Sequence, residues 1–228
     1  MKIAGLQKLT LLDYPEKIAC IVFTAGCNFR CPFCHNASLV LGGELEDISE
    51  EDFFAFLEKR QGMLNGVCVT GGEPTLQRDL LPFLKRVKEM GYSVKLDTNG
   101  YNPRILKKAV NEGLVDYVAM DIKNSPEKYA LTIGTKNSDF SQIQDSIHFL
   151  ISANIDYEFR TTVVKELHTP QDIVDITKLI AGAKRYFLQT FKDSGDLIQS
   201  GFSGYDEISM KNLLNLAKDS LKAAELRG

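Results

Sequence analysis

Six short apolar segments recur along the chain, and most of them are too continuous to be strands with one polar face. Central parallel strands, which are covered on both faces, have this pattern. We therefore expect six buried strands. The segments span residues 18–24, 67–70, 93–97, 117–121, 157–164 and 186–190.

Amphipathic segments with helical spacing follow these strands. Capping residues or a proline in the first turn mark their starts, and several end at glycine. The pattern predicts six helices, and the last of them extends to Leu226. They begin near Ser49, Asp79, Asn102, Ser141, Thr169 and Asp206. Strand and helix thus alternate about six times, which indicates βαβ units and a parallel sheet.

The number of units narrows the fold class. A complete eight-fold barrel usually needs ~250 residues, and this chain has 228. We therefore predict an α/β fold, a partial (β/α)6 TIM-type barrel, with a flat doubly wound sheet as the alternative. Residues 1–16 are expected to form a short N-terminal extension, a hairpin, and the lack of a linker-like sequence predicts one domain over residues 1–228.

Composition and charge limit the partners. Hydrophobic residues make up 44% and charged residues 25%, as in ordinary globular proteins. The net charge of −3 offers no basic excess for nucleic acid or an anionic membrane, so neither is expected as a partner. Lys2, Lys8 and Asp13 interrupt the first fifteen residues, which therefore lack a signal-peptide stretch. We expect a cytoplasmic protein.

Polar residues stand where the predicted strands end. In parallel α/β folds, ligands bind at the carboxyl ends of the strands. A ligand pocket is therefore expected from position alone. The polar groups at or near these ends include Thr24, Thr70, Asp97, Asp121, Arg160 and Gln189.

Three of the five cysteines, Cys27, Cys31 and Cys34, lie within eight residues as C-x3-C-x2-C. In a reducing compartment such spacing indicates metal or redox chemistry before a disulfide. Three thiolates can hold three irons of a [4Fe–4S] cluster and leave the fourth iron open. The alternatives are a structural zinc site completed by His35, which its adjacency to Cys34 makes awkward, and a set of unrelated thiols.

The other cysteines and histidines have plainer interpretations. Cys20 and Cys68 lie inside apolar segments and are expected in the core, because free cysteine often behaves as a small hydrophobe. His148 and His168 have no partner that the sequence identifies and are predicted to be structural. His35 adjoins the cysteines and is expected to hydrogen-bond a sulfur or a partner.

The cysteine loop resembles that of the radical S-adenosylmethionine enzymes, whose signature is C-x3-C-x-φ-C with an aromatic residue at φ. Phe33 occupies that position. The resemblance implies that Cys27, Cys31 and Cys34 ligate a [4Fe–4S] cluster. It implies that the open iron chelates the amino and carboxylate groups of S-adenosylmethionine, and that Phe33 packs near the adenine. The implied fold is the partial (β/α)6 barrel.

Three more segments extend this resemblance: GGEP at 71–74, LDTNG at 96–100 and DIK at 121–123. Taken alone, they indicate a tight turn, an Asn-Gly turn and a surface ion pair. In the family, GGEP contacts the methionine amino group, largely through backbone carbonyls. The other two look like segments of glycyl radical enzyme activases that surround the ligand's carboxylate and ribose, in some cases with a monovalent cation. The residues carried over are Gly71, Gly72, Glu73, Asp97, Asn99, Asp121 and Lys123, with Arg160 and Gln189 as further candidates.

The chain looks like the longer type of anaerobic ribonucleoside-triphosphate reductase activating protein, a family of glycyl radical enzyme activases. This resemblance covers nearly the whole chain, and its specific motifs lie mostly before residue 125. The matching stretches are GLQK at 5–8, LDYP at 12–15 and FTAGCNFRCPFCHN at 23–36, whereas the family usually has glycine in place of Glu16. The resemblance implies reductive cleavage of S-adenosylmethionine to methionine and a 5′-deoxyadenosyl radical. That radical takes hydrogen from a glycine α-carbon of a partner enzyme. Flavodoxin or ferredoxin is the implied electron donor, and no catalytic side chain beyond the cluster and bound S-adenosylmethionine is expected.

Three alternatives stay open at this stage. The first is an activase of another glycyl radical enzyme, such as pyruvate formate-lyase. The second is a small-molecule radical enzyme of the 7-carboxy-7-deazaguanine synthase type. The third is a non-catalytic zinc-binding interaction module. The sequence contains no G-x-S-x-G, Walker or H-E-x-x-H motif that would favour another catalytic class.

Overall fold

The computed structural model describes residues 1–43, 45–135 and 139–227. Strand order in the sheet follows the chain from the first strand to the last. Within the described residues the strands are β1 (Ile3–Thr10), β2 (Ala19–Thr24), β3 (Gly66–Gly71), β4 (Ser93–Thr98), β5 (Tyr117–Asp121), β6 (Asp156–Val163), β7 (Tyr186–Thr190) and β8 (Ala224–Arg227). The α-helices are α1 (Ala37–Leu41), α2 (Glu50–Glu58), α3 (Leu80–Glu89), α4 (Pro103–Asn111), α5 (Tyr129–Thr132), α6 (Phe140–Ser152), α7 (Pro170–Leu179) and α8 (Glu207–Ser220).

The six apolar segments of the sequence become β2 to β7, so the predicted α/β class with a mostly parallel sheet is confirmed. Helix starts also agree with the capping signals. The Ser49 side chain accepts a hydrogen bond from the Asp52 amide at the start of α2. Thr169 and Asp172 form a reciprocal capping box at the start of α7. These caps satisfy amides that the first helical turn leaves without partners.

The N-terminal extension differs from the expected hairpin within residues 1–16. β1 pairs antiparallel with β2, with Ile3 opposite Thr24 and Thr10 opposite Ala19. The second arm of the pair is therefore the first apolar segment itself. Without β1, this edge of β2 would have unpaired backbone groups exposed to solvent.

A tight turn lies between β1 and β2. The Lys17 amide donates a 3.2 Å hydrogen bond to the Tyr14 carbonyl, with Pro15 and Glu16 between them. Glu16 has a φ of 62°, in the left-handed region. Proline followed by a residue with positive φ is the pattern of a type II turn, whose third position favours glycine. The position where the resembling family usually has glycine thus has a backbone conformation suited to glycine.

The described residues fold into two compact units. The first contains residues 1–28, 38–98 and 104–118. Its strands β2, β3 and β4 are parallel, with Ile21 opposite Cys68 and Cys68 opposite Lys95. Cys20 and Cys68 are buried free thiols, as predicted. Burial raises the pKa of the Cys20 thiol to about 12, so this thiol stays protonated near neutral pH.

The second unit contains residues 29–37 and 99–103 and the chain from residue 119 onward. Its strands β6, β7 and β8 are parallel, with Phe159 opposite Tyr186 and Gln189 opposite Arg227. Buried apolar side chains of α6, α7 and α8 include Ile147, Ile176 and Leu213.

The expected helix from Asp206 to Leu226 is wrong in its last part, because α8 ends at Ser220 and β8 follows it. β8 pairs with β7, and Arg227 makes a bidentate ion pair with the buried Glu158. These contacts with residues far along the chain outweigh the helix-favouring composition of the segment. Among the described ranges, no helix is both long enough and apolar enough to cross a membrane.

Candidate active site

The site residues that the sequence predicts are divided between the two units. Their convergence on one ligand stays a prediction. The first unit contains Cys27, Gly71, Gly72, Glu73 and Asp97, and the second contains Cys31, Phe33, Cys34, Asn99, Asp121, Lys123, Arg160 and Gln189.

In the first unit, the GGEP turn after β3 is bonded to the start of the cysteine loop. The Gly72 amide donates to the Thr24 carbonyl and the Glu73 amide to the Gly26 carbonyl, each at 2.8 Å. A Cβ on Gly72 would overlap the Gly26 carbonyl oxygen, so glycine is needed for this approach. Gly71 has a φ of 111° and likewise leaves no room for a side chain. The turn therefore fixes the backbone directly before Cys27.

The Glu73 side chain is buried and lies in a hydrogen-bonded group of its own unit. Its carboxylate accepts from the Thr75 amide at 3.0 Å and from the Thr98 hydroxyl at 2.7 Å. The first of these bonds caps the 3₁₀ helix Pro74–Leu76. The second connects the turn after β3 with the end of β4. In this arrangement the Glu73 side chain positions the turn, and its backbone carbonyl is the group expected to face a ligand.

Asp97, at the end of β4, has a buried lysine as its partner. The Lys95 ammonium forms an ion pair with the Asp97 carboxylate, and the Lys95 side chain is only 2% exposed. The Thr70 hydroxyl of β3 lies 3.4 Å from the same carboxylate. Residues two apart on a strand point to the same face, which brings Lys95 and Asp97 together. Lys95 was not among the predicted site residues, although a charged residue inside an apolar segment was a signal for it.

In the second unit, the rest of the cysteine loop is held by backbone hydrogen bonds. The Arg30 amide donates to the Ile133 carbonyl at 2.8 Å, and the Gln199 amide donates to the Pro32 carbonyl at 2.9 Å. The Cys34 amide closes a turn on the Cys31 carbonyl at 3.0 Å. Cys31 is buried and Cys34 is partly exposed.

Phe191, directly after β7, contacts both residues that flank Cys34. Its ring stacks on His35 with the centroids 5.1 Å apart, and it meets the Phe33 ring edge-on at 6.4 Å. Burial and the nearby Lys123 charge lower the pKa of His35. Phe33, the predicted adenine contact, is itself buried. The expected hydrogen bond from His35 to a sulfur or to the partner enzyme stays a prediction.

Lys123, Asp121 and Arg160 form a compact charged group in the second unit. Lys123 Nζ lies 2.9 Å from Asp121, and Arg160 Nε lies 3.0 Å from the same carboxylate. Burial opposes ionisation of Asp121, but the two cations outweigh it and lower the pKa of Asp121 to about 2. Burial likewise disfavours the Lys123 ammonium, yet Asp121 and the neighbouring Cys31 and Cys34 raise its pKa. Lys123 therefore stays charged beside two of the three predicted cluster ligands.

The ionic network continues toward the last strand. Arg160 lies 4.0 Å from Glu158, and Arg227 of β8 donates to both oxygens of Glu158 at 2.6 and 2.9 Å. Gln189 lies on β7 between Thr162 and Arg227 in the strand register. Arg160, Gln189 and Arg227 therefore share one face of this sheet.

Asn99 begins a turn after β4. Its side-chain oxygen accepts from the Tyr101 amide at 3.0 Å, as in an Asx turn. Gly100 follows with a φ of 74°, and a Cβ there would collide with Met120. The structure thus supports the local Asn-Gly turn, and the predicted ligand contact of Asn99 stays a prediction.

His168 has partners that the sequence did not identify. Its Nε2 lies 2.8 Å from the Lys123 carbonyl, and its Nδ1 lies 3.1 Å from the Val164 amide. The amide donates to Nδ1, which assigns the ring proton to Nε2 for donation to Lys123. Burial lowers the pKa of His168 and favours this neutral form. The imidazole therefore fixes the loop that carries Lys123.

The donor set fits an iron–sulfur cluster by its chemistry. In the first unit Cys27 follows a backbone that hydrogen bonds to the GGEP turn hold, and in the second unit Lys123 provides a positive charge beside Cys31 and Cys34. Among the residues described, no group of three or more His, Cys, Asp or Glu side chains is gathered for a single metal ion. Cluster thiolates, in contrast, each bind a different iron.

Comparison with known proteins identifies the family. The profile of the Radical SAM superfamily matches residues 21–180. The chain belongs to the radical SAM superfamily and is an enzyme of that class. This membership implies a [4Fe–4S] cluster and S-adenosylmethionine as cofactors.

Two relatives match different shares of this chain. The putative glycyl-radical enzyme activating enzyme MJ1227 of Methanocaldococcus jannaschii is 34% identical over 205 residues, which are 85% of this chain and 82% of that protein. A 7-carboxy-7-deazaguanine synthase of Koribacter versatilis is 37% identical over 145 residues, which are 62% of this chain and 60% of that protein.

A solved structure shares the fold. Streptococcus suis SuiB bound to the precursor peptide SuiA superposes with a TM-score of 0.71 at 14% identity. The match covers 91% of this chain and 48% of SuiB, so the chain spans about half the length of that protein. At this identity the likeness concerns the fold alone, and it agrees with the predicted α/β class.

Proposed function

We propose that this enzyme activates a glycyl radical enzyme by making the glycyl radical of its partner. The observation that carries the proposal is the 34% identity to a putative glycyl-radical enzyme activating enzyme. That similarity covers 205 residues, beyond the stretch 21–180 that the whole superfamily shares. Similarity to the 7-carboxy-7-deazaguanine synthase covers only 62% of the chain. The longer match favours a protein substrate.

The proposed roles follow the described contacts. Cys27, Cys31 and Cys34 hold the cluster, and the backbone of the GGEP turn at 71–74 receives the methionine amino group. When bound, a [4Fe–4S] cluster supplies one electron for cleavage of S-adenosylmethionine to methionine and the 5′-deoxyadenosyl radical that takes hydrogen from the partner's glycine. The remaining protein groups bind and orient the ligand and exclude water.

The charged groups suit a zwitterionic sulfonium ligand. Lys123 and Arg160 offer positive charge to its carboxylate, and Asp121 holds both of them in place. Phe33 is proposed to pack against the adenine, with Asn99 and Gln189 near the ribose. Asp97, which the resemblance also carries over, is proposed to lie near the ligand carboxylate with Lys95 as its counter-ion.

The proposed partner is an anaerobic ribonucleoside-triphosphate reductase. The N-terminal stretches at 5–8, 12–15 and 23–36 support this choice by resemblance. The proposed electron donor is a flavodoxin or ferredoxin, and the proposed setting is the cytoplasm. Residues 1–228 are proposed to act as a single radical SAM domain.

Electron paramagnetic resonance tests the function. The chain is reconstituted anaerobically with iron and sulfide, reduced, and mixed with S-adenosylmethionine and the reductase of the same organism. The proposal predicts a glycyl doublet that Cys31→Ala abolishes. Cys68→Ala, which removes a buried thiol of the core, is the matched control and should retain the doublet.

Other outcomes separate the alternatives. A doublet only with pyruvate formate-lyase would reassign the partner. Turnover of a pterin without any protein partner would favour the deazaguanine synthase type. A colourless protein with stoichiometric zinc and no iron would overturn the radical chemistry.

A further inference from the structure

The Lys95–Asp97 pair is a buried ion pair within the first unit. The Lys95 side chain is 2% exposed and that of Asp97 is 17% exposed. Removing charges from water is costly, and only close pairing with further hydrogen bonds compensates for it. The Thr70 hydroxyl at 3.4 Å gives Asp97 an additional polar neighbour. The Asp97 carboxylate therefore has its counter-ion within its own strand.

Asp97 lies in one of the segments that carry the resemblance to glycyl radical enzyme activases. In some of those enzymes the segments equivalent to LDTNG at 96–100 and DIK at 121–123 accompany a monovalent cation. Here the carboxylate of the first segment is balanced by Lys95. In the second unit, the carboxylate of the other segment is balanced by Lys123 and Arg160. Among the described contacts, each of the two carboxylates is thus paired with a side-chain cation.

We infer that Lys95 supplies, as a side-chain ammonium, the positive charge that balances Asp97, so that no monovalent cation binds at this carboxylate. A lysine ammonium is a compact point charge with three donors, and it is tethered to the chain. A second cation beside the same carboxylate would be repelled by the ammonium. Lys95 is thus a positioning residue that holds the Asp97 carboxylate in place.

The test compares thermal unfolding of the cluster-reconstituted chain in sodium, potassium and choline chloride at equal ionic strength. The wild-type chain should unfold at the same temperature in all three salts. Lys95→Met keeps an unbranched stem but removes the ammonium. Loss of one partner of a buried pair is strongly destabilising, so its unfolding temperature in choline should fall by on the order of 10 °C. Sodium or potassium should recover part of that loss, because either ion can then bind at Asp97.

Two further variants separate an electrostatic role from simple packing. Lys95→Met/Asp97→Asn contains neither charge, so it should unfold above Lys95→Met and at the same temperature in all three salts. Lys88→Met breaks the 2.6 Å ion pair between Lys88 and Asp116. The side chain of Lys88 is 29% exposed and that of Asp116 is 40% exposed. This surface control should change little and show no dependence on the cation.

A wild-type chain that unfolds at a higher temperature in sodium or potassium than in choline would overturn the inference. A folded Lys95→Met variant without cation dependence would overturn it as well. If Lys95→Met does not fold, the inference is tested by the affinity of the wild-type holoenzyme for S-adenosylmethionine in the three salts. Equal affinity in the three salts supports the inference, and tighter binding in sodium or potassium contradicts it. The inference rests on the proposed function. The unfolding and affinity measurements contain no partner enzyme, so their results do not depend on which protein the partner is.

Discussion

The Thr98 hydroxyl donates a 2.7 Å hydrogen bond to the buried Glu73 carboxylate. This bond joins the last residue of β4 to the GGEP turn after β3. Because the same turn is hydrogen-bonded to Thr24 and Gly26, the bond also stabilises the backbone that precedes Cys27. A single hydroxyl thus connects two of the segments that the resemblance assigns to cofactor binding.

Thr98→Val should lower the free energy of unfolding by about 1–3 kcal/mol, because the buried Glu73 carboxylate loses a donor. Affinity for S-adenosylmethionine should fall with it, as the turn loses its support. Urea unfolding and isothermal titration measure the two effects. Thr177→Val is the matched control, since the Thr177 hydroxyl donates to the Val174 carbonyl of its own helix. A Thr98→Val variant with unchanged affinity would show that the bond does not position the turn.

Glu16→Gly should stabilise the chain by roughly 0.5–1 kcal/mol, because the φ of 62° at Glu16 strains any residue with a side chain. Urea unfolding checks this gain. Lys17→Gly, which changes the next residue outside the left-handed region, should be destabilising. A loss of stability in Glu16→Gly would mean that the Glu16 side chain makes a compensating contact.

The Asp121 carboxyl should contribute to acid denaturation. Its pKa is lowered from 3.8 to about 2 in the folded chain, so its stabilising effect is present above pH ~4 and is lost as the pH falls toward about 2. The free energy of unfolding of the wild type should therefore fall more between pH ~4 and pH ~2 than that of Asp121→Asn, by roughly 2 kcal/mol. Unfolding free energies measured across this range should converge for the two proteins at low pH. If the free energies of unfolding of the two proteins depend on pH in the same way, the ion pairs of Asp121 do not cause the acid-induced loss of stability.

His168→Phe should weaken both stability and cofactor binding. It removes the hydrogen bonds to Lys123 and Val164, which should lower the free energy of unfolding by about 2–3 kcal/mol. Because burial lowers the pKa of His168 below 6.5, its contribution is present above pH ~6.5 and declines as the pH falls through that value. His148→Phe, on the exposed side of α6, is the control and should have little effect. Equal affinity of His168→Phe and wild type for S-adenosylmethionine would assign His168 a purely structural role.

Much of the fold could be predicted because its signals are local. Apolar runs and capping residues identified β2 to β7 and most helix starts, such as Ser49 and Thr169. The strand β8 could not be predicted in this way. Its residues favour a helix, and only pairing with β7 and the ion pair between Arg227 and Glu158 select a strand.

The same distinction between local signals and contacts made by packing applies to the candidate site. The cysteine spacing and the glycines at 71–72 are motifs with a local chemical reason, so the sequence alone identified them. The sequence also indicated the ion pair between Asp121 and Lys123, but the contact of Arg160 with Asp121 depends on packing and was not identified. Lys95 was visible as a charge inside an apolar segment, whereas His168 reaches Lys123 from 45 residues along the chain.

The proposed function requires that this enzyme takes a hydrogen atom from a glycine of a protein partner. The most direct test uses anaerobic ribonucleoside-triphosphate reductase labelled with α-deuterated glycine, mixed with the reduced, cluster-reconstituted chain and S-adenosylmethionine. Mass spectrometry of the released 5′-deoxyadenosine gives the answer. The account predicts one deuterium in the nucleoside, and none when the glycine is unlabelled. Unlabelled 5′-deoxyadenosine from the deuterated partner would contradict hydrogen abstraction from that enzyme.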